Sequence, residues 1–265
     1  MKHTSLFCAL LCAVGSAHAA DGLTMGVGVD YSSGDYGSDI TTEIFSVPVG
    51  AKYVTGDWTF KASLPWVHVS GDPNVLPGVG AVNNTNPNGR GRGHGHAPPP
   101  PGEPETGTAS GVGDLRLAAT YSFDTGGPLG IDLTGNVKVA TADEDKGLGT
   151  GANDYGVALD LYRTVGGATV FGGAGYTVLG DSTYIDVDAV GNVNFGASWH
   201  VGANGSLGAM YDWRQSAADD FDDRSEVTGF YSFGEDAGRW QVYALAGLSD
   251  GSPDWGGGVS YRHGF

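Results

Sequence analysis

Apolar side chains recur at every second position over most of this chain, and the pattern is clearest between Gly113 and Val139. Leu115, Leu117, Ala119, Tyr121 and Phe123 alternate with Asp114, Arg116, Ala118, Thr120 and Ser122. After Asp124-Thr125-Gly126-Gly127-Pro128 the alternation resumes. Leu129, Ile131, Leu133, Gly135, Val137 and Val139 are now opposed by Asp132, Thr134, Asn136 and Lys138. Successive side chains of an extended chain point to opposite faces, so this is a β-hairpin with one apolar and one ionic surface. The glycine pair provides positive φ in the turn, and Pro128 fixes φ where the next strand begins. Such a hairpin suits a soluble sheet with its apolar face inward, or a membrane barrel with that face outward.

The same period runs through Leu23–Tyr31, Phe45–Tyr53, Trp58–Trp66, Tyr155–Leu161, Ala168–Val178 and Ala189–Trp199. It continues through Leu207–Trp213, Val227–Phe233, Trp240–Leu248 and Trp255–Phe265. With the hairpin these make about twelve strands of a length suited to a tilted bilayer crossing. Pro48 interrupts the second run and predicts a bulge or a lost ladder bond there. The apolar faces carry no Asp, Glu, Lys or Arg, and His263 is their one titratable group beyond tyrosine. All six tryptophans fall on those faces near strand ends. Trp58, Trp199 and Trp240 mark one end and Trp66, Trp213 and Trp255 the other, as two aromatic girdles would. The connections alternate short and long, which a barrel with short periplasmic turns and long, acidic extracellular loops produces and a soluble sandwich does not. The predicted fold is therefore all-β, an up-and-down antiparallel transmembrane barrel.

Residues 1–19 predict a secretory signal peptide: Lys2, an apolar run from Leu6 to Val14, and Ala17-His18-Ala19 before the cut. Residues 20–265 would then form the mature barrel. Both cysteines, Cys8 and Cys12, would leave with the leader, so no disulfide is expected. Formal charge is −17, and losing Lys2 gives 12 − 30 = −18. That excess of carboxylates opposes binding to nucleic acid.

One connection, residues 67–112, is far longer than the others and changes character. From Asn83 to Gly107 it holds alternating Gly, Arg and His followed by Pro98 to Pro101, with almost no apolar bulk, and predicts a largely disordered extracellular loop. His94 and His96, with His68 as a further imidazole, are weak metal candidates that lack a fixed third ligand. The run Asp219 to Asp223 could hold a divalent cation bridging to lipopolysaccharide phosphate, but reads first as a solvated acidic loop. Gly147 to Gly151 is glycine-rich without the Gly-Lys-Ser/Thr of a phosphate loop, and no nucleophile, base and acid share a motif. No enzyme and no cofactor are expected.

The opposite faces supply the candidate site. Asp30, Lys52, Lys61, Asp114, Arg116, Asp132, Lys138, Asp160, Asp212 and Glu226 would ring the lumen with Tyr162, Phe171, Phe230, Tyr243 and Leu245. These residues fit a path for a small, partly apolar solute, and equally ion pairs filling a narrow interior.

Several segments also resemble a known family: Leu64-Pro65-Trp66, Gly111-Val112-Gly113-Asp114-Leu115, and Lys146-Gly147-Leu148-Gly149-Thr150-Gly151 followed by Asp154-Tyr155-Gly156. Gly175-Tyr176 and Leu179-Gly180-Asp181 extend the likeness. In these the chain resembles the outer-membrane transporters of the MetA pathway of phenol degradation. The resemblance implies an outer-membrane barrel passing hydrophobic or aromatic solutes; the Gly/His/Pro-rich insertion departs from the family pattern. Phe265, with Tyr261 and Val259 at alternate positions, resembles the terminal signal read by barrel-assembly machinery. The expected function is a passive outer-membrane channel for a small solute. The alternative is a non-conducting surface protein whose loops bind a partner or ion.

Overall fold

The computed structural model describes residues 21–92, 104–235 and 237–265; the expected signal peptide lies outside them. Its strands are β1 Gly22–Gly34, β2 Thr42–Thr55, β3 Trp58–Gly71, β4 Val75–Leu76, β5 Gly80–Ala81, β6 Gly107–Val112, β7 Leu115–Phe123 and β8 Leu129–Val139. Then come β9 Asp154–Val165, β10 Ala168–Val178, β11 Val190–Val201, β12 Gly205–Arg214, β13 Arg224–Glu235, β14 Gly238–Gly247 and β15 Trp255–Gly264. The hairpin at residues 113–139 appears as expected in β7 and β8, although only Gly126 of its glycine pair takes positive φ.

All long strands pair antiparallel with their neighbours, and β1 pairs with both β2 and β15, so the sheet closes on itself. Its 13 strands make 13 − 1 = 12 staves among the described residues, because β6 and β7 share one stave beside β3. This is a twelve-stave up-and-down barrel, and closure removes the unpaired edges that a bilayer would not tolerate.

The exposed surface of the wall is apolar. Leu117 is 41% exposed, Val157 59% and Phe195 58%, while Thr120, Ala158 and Asn194 on the opposite face are buried. In water, apolar exposure on this scale would cost about 25 cal/mol per Å². The surface is built for lipid, and the barrel is an outer-membrane one. Five of the six girdle tryptophans are exposed and Trp213 is half-buried.

Two local features position lumen residues. Opposite Pro48 the β1–β2 ladder skips Gly28 and Val29 and resumes in the same register, so the proline costs ladder bonds without a bulge. A true bulge sits between β6 and β7. Ser63 pairs with Arg116 but Trp66 with Val112, leaving one extra residue on the β6–β7 side. Gly113 occupies it, its N–H donating to the Pro65 carbonyl at 2.8 Å, where an added Cβ would lie 2.9 Å from the Pro65 ring. The bulge turns Asp114 into the lumen while Val112 stays outside.

The two ends of the barrel differ. One carries tight turns, such as Gly56-Asp57 and Gly166-Gly167; the other carries every long connection. The connection expected over 67–112 is shorter at both ends, since Val67–Gly71 continue β3 and Gly107–Val112 form β6. Between them residues 72–92 fold as a lid instead of the disordered loop that composition suggested. The composition shift begins only at Asn83; before it, Leu76, Val79 and Val82 pack with Leu179, Ile185, Val187, Val190 and Ala217 into a buried apolar cluster. Asp72, Asn84 and Asn86 each accept the backbone N–H two residues on, at 2.9–3.0 Å, which replaces strand pairing along the segment. Residues 93–103, including His94, His96 and Pro98 to Pro101, lie outside the described residues.

Candidate functional site

Beneath the lid the lumen is lined by the polar faces of the strands. The Gly113 bulge brings Asp114 to 3.3 Å from Lys138 Nζ, and Asp154 approaches the same nitrogen at 3.3 Å. All three are buried, and Lys138 also donates to Thr150 Oγ1 at 2.9 Å. Asp114 accepts the N–H groups of Thr141 and Ala142, and Asp154 that of Gly180, so this triad also ties two long loops to the wall. A buried cation between two carboxylates with their remaining lone pairs satisfied is the arrangement that tolerates desolvation.

A second charged group faces it from β12 and β13. Asp212 pairs across the ladder with Glu226, and Arg214 with Arg224. Arg224 donates to Glu226, while Arg214 reaches up to the lid and donates to the Val79 carbonyl at 2.9 Å. Nearby on the wall, Tyr243 donates its hydroxyl to Asp30 at 2.6 Å. The lid holds itself through Arg90, whose guanidinium donates to the carbonyls of Asp72, Val75 and Gly147. Burial pulls Arg90 down from 12.5 to about 10, opposed by Asp72, so it stays charged at neutral pH.

Toward the short turns, Lys52 pairs directly with Lys61 and Asp132 with Asp160. Like charges directly opposite repel, and Lys61 lies within electrostatic reach of both aspartates.

The four lumen aromatics follow one rule: each lies over a cross-strand glycine. Tyr162 pairs with Gly130, Phe171 with Gly196, Phe230 with Gly208 and Tyr243 with Gly258. A Cβ on those glycines would sit 2.1, 2.6, 2.3 and 2.7 Å from the respective rings. Tyr162 and Phe171 are themselves partners yet turn away from each other, and so do Phe230 and Tyr243. Glycine thus lets each ring lie flat on the wall and keeps its bulk out of the lumen.

Between lid and wall lies a cavity of about 190 Å³. Leu76, Pro77 and Gly78 roof it, Pro48, Pro65 and Leu245 supply apolar wall, and Asp30, Arg116, Asp212 and Glu226 supply charge.

All fourteen titratable and aromatic residues expected to line the lumen lie on its face by strand register, as does Leu245. They form no single site. Asp114, Arg116, Asp212 and Glu226 gather near the lid, and Lys52, Lys61, Asp132, Asp160 and Tyr162 lie toward the turns. Sequence reading puts Asp154 opposite the apolar face of its strand without counting it in the lumen, and misses Arg214, Arg224, Arg239 and Arg262; each continues an inward-facing row by two-residue steps. Counting these, the inner face of the strands holds, among the described residues, cations Lys52, Lys61, Arg116, Lys138, Arg214, Arg224, Arg239 and Arg262. Its anions are Asp30, Asp114, Asp132, Asp154, Asp160, Asp212 and Glu226, so the balance is 8 − 7 = +1 in a chain of formal charge −17. His68 lies on the outward face against Ser110, away from the lumen. Asp220 and Asp223 of the acidic run accept hydrogen bonds from Asn83 and the Ser216 N–H.

Residues 32–263 match the family described as "Putative MetA-pathway of phenol degradation". Among solved structures, the translocator domain of the autotransporter NalP from Neisseria meningitidis is 14% identical with TM-score 0.55, over 99% of this chain and 96% of that one. The β domain of the Bordetella autotransporter BrkA is 12% identical, TM-score 0.52, over 92% and 99%. The Pseudomonas putida toluene transporter TodX is 12% identical, TM-score 0.48, over 92% and 90%. Among curated proteins none matches the sequence.

Proposed function

The chain belongs to that phenol-degradation family, and on this premise we propose that it is an outer-membrane channel for passive uptake of a small, uncharged aromatic or otherwise hydrophobic solute. One observation carries the reading: a lumen whose fixed charges nearly cancel, although the chain as a whole is strongly acidic. A path of one sign would concentrate counter-ions. A balanced one offers no such gain to an ion and leaves neutral molecules undisfavoured, while the glycine-seated rings add apolar wall without filling the pore. The C-terminal strand ending at Phe265 is the segment we assign to the assembly machinery, and lipopolysaccharide is the expected surround of the long-loop end.

A second reading has its own support. The lid's buried apolar cluster covers the mouth, as it would in a non-conducting surface protein whose loops bind a partner. Swelling of liposomes carrying the folded barrel separates the two. Entry of small neutral solutes well above that of empty vesicles supports the channel. Absence of entry, with folding verified by heat-modifiable electrophoretic mobility, favours the surface protein.

A further inference from the structure

The cavity under the lid has a size, a mixed apolar and ionic lining and an unused accepting atom that together describe a ligand. A cavity of about 150 Å³ accommodates benzene, and this one, at about 190 Å³, leaves room for one ring with one small substituent. Pro48, Pro65, Leu245 and Leu76 of the lid supply apolar surface around it, against which a ring would bury its faces. Charged groups line the rest, and most of their polar atoms are already engaged. Arg214 is committed to the Val79 carbonyl, Arg224 to Glu226, and Asp30 to Tyr243. Two buried atoms of the lining, Asp212 Oδ2 and Arg214 Nε, have no hydrogen-bond partner among the described residues, and only the first is an acceptor. A buried carboxylate oxygen left without a donor carries a desolvation cost that a ligand can relieve.

The geometry points to this cavity as a binding site for a one-ring aromatic solute bearing a single O–H or N–H donor, with Asp212 Oδ2 as the accepting atom. It rests on the channel reading and adds to it a station where solutes are sorted. A ring with a donor satisfies both the apolar surface and the unpartnered carboxylate oxygen. A hydrocarbon of the same size fills the cavity but leaves Asp212 as it was, and so gains less from entering.

The test is titration calorimetry of the detergent-solubilised full chain with phenol, aniline and toluene, for the wild type, Asp212→Leu, Asp212→Asn and Leu245→Trp. Hydrogen bonds to charged groups correspond to about tenfold or more in affinity. Asp212→Leu is therefore expected to weaken phenol and aniline by about that factor and to leave toluene unchanged. Asp212→Asn, which retains an accepting oxygen, should weaken the donors less. Leu245→Trp, which fills the cavity, should weaken all three. If Asp212→Leu shifts phenol and toluene alike, or Leu245→Trp leaves phenol untouched, the site is not where the geometry places it. Liposome flux of the same proteins keeps the two readings apart. Flux without donor preference overturns the site and leaves the channel standing, whereas donor-selective binding without flux overturns the channel and leaves the site.

Discussion

The lumen is built on different terms at its two ends. At the long-loop end, loops that meet across large sequence separations pack an apolar cluster over the pore and pin it with polar contacts: Thr85 to Tyr184, Asp188 to Ala217, and, buried, Arg214 to Val79. At the short-turn end the connections are too short to reach across, and several of their glycines have nothing within 4 Å of an added Cβ. Packing across the barrel mouth therefore belongs to one end, while the other end carries tight chain reversals. The difference teaches where mutations should matter: the same nominal change should affect both stability and passage near the lid and stability alone at the turns.

The largest break in that contrast should come from Lys138→Met, which leaves Asp114 and Asp154 facing each other in a buried site. Losing one partner of a buried charge network costs about 3–5 kcal/mol, and the loops at 140–153 and 179–189 should loosen with it. Chemical denaturation followed by tryptophan fluorescence would report the loss, and retention of wild-type stability would show that the triad is not what anchors those loops. Leu76→Ala, in the centre of the lid cluster, should cost roughly 2–5 kcal/mol of lid packing. Hydrogen exchange should then accelerate at residues 75–82 and hardly at all in β8 to β11. Uniform acceleration would mean that lid and wall unfold as one unit.

In the wall itself, Gly208→Ala places a Cβ where the Phe230 ring lies, at 2.3 Å from its Cζ. The ring must swing into the lumen, at a cost of about 1–3 kcal/mol and with a smaller flux of bulky solutes in liposomes. Unchanged flux would show that the ring's seat does not set the free width. Smallest of all should be Gly126→Ala in the β7–β8 turn, where φ is +63° and the surroundings are open. The left-handed backbone alone should cost about 1–2 kcal/mol, and flux should not change. A change in flux would bring the turn end into the control of access.

The wall was legible in the sequence and the lid was not, for a physical reason. Alternation is a local signal: Leu117 and Arg116 declare opposite faces by adjacency, and a closed barrel needs only that parity and the turns between strands. Asp114, Lys138 and Asp212 were therefore assignable to the lumen from parity alone. The lid's stability comes from contacts such as Leu76 with Leu179 and Ile185, which no window of neighbouring residues contains. Its composition, averaged with the glycine- and asparagine-rich stretch that follows, pointed the other way. The Gly113 bulge lay between the two cases. Parity carried through β7 gave Asp114 its correct face, but the extra residue that resets β6 against β3 leaves no mark except a glycine beside Asp114. Arg214 and Arg224 extend rows already recognised at Asp212 and Glu226, and one further step of the same period would have reached each of them.

The central claim is that the wall encloses a solute path and that the folded lid governs entry to it. Current through single molecules in a planar bilayer tests this most directly, with the wild type set beside the Leu76→Ala form. The account predicts small or brief openings in the wild type and longer or larger ones once the lid is weakened. Identical silence from both, in barrels shown to be folded, would contradict it.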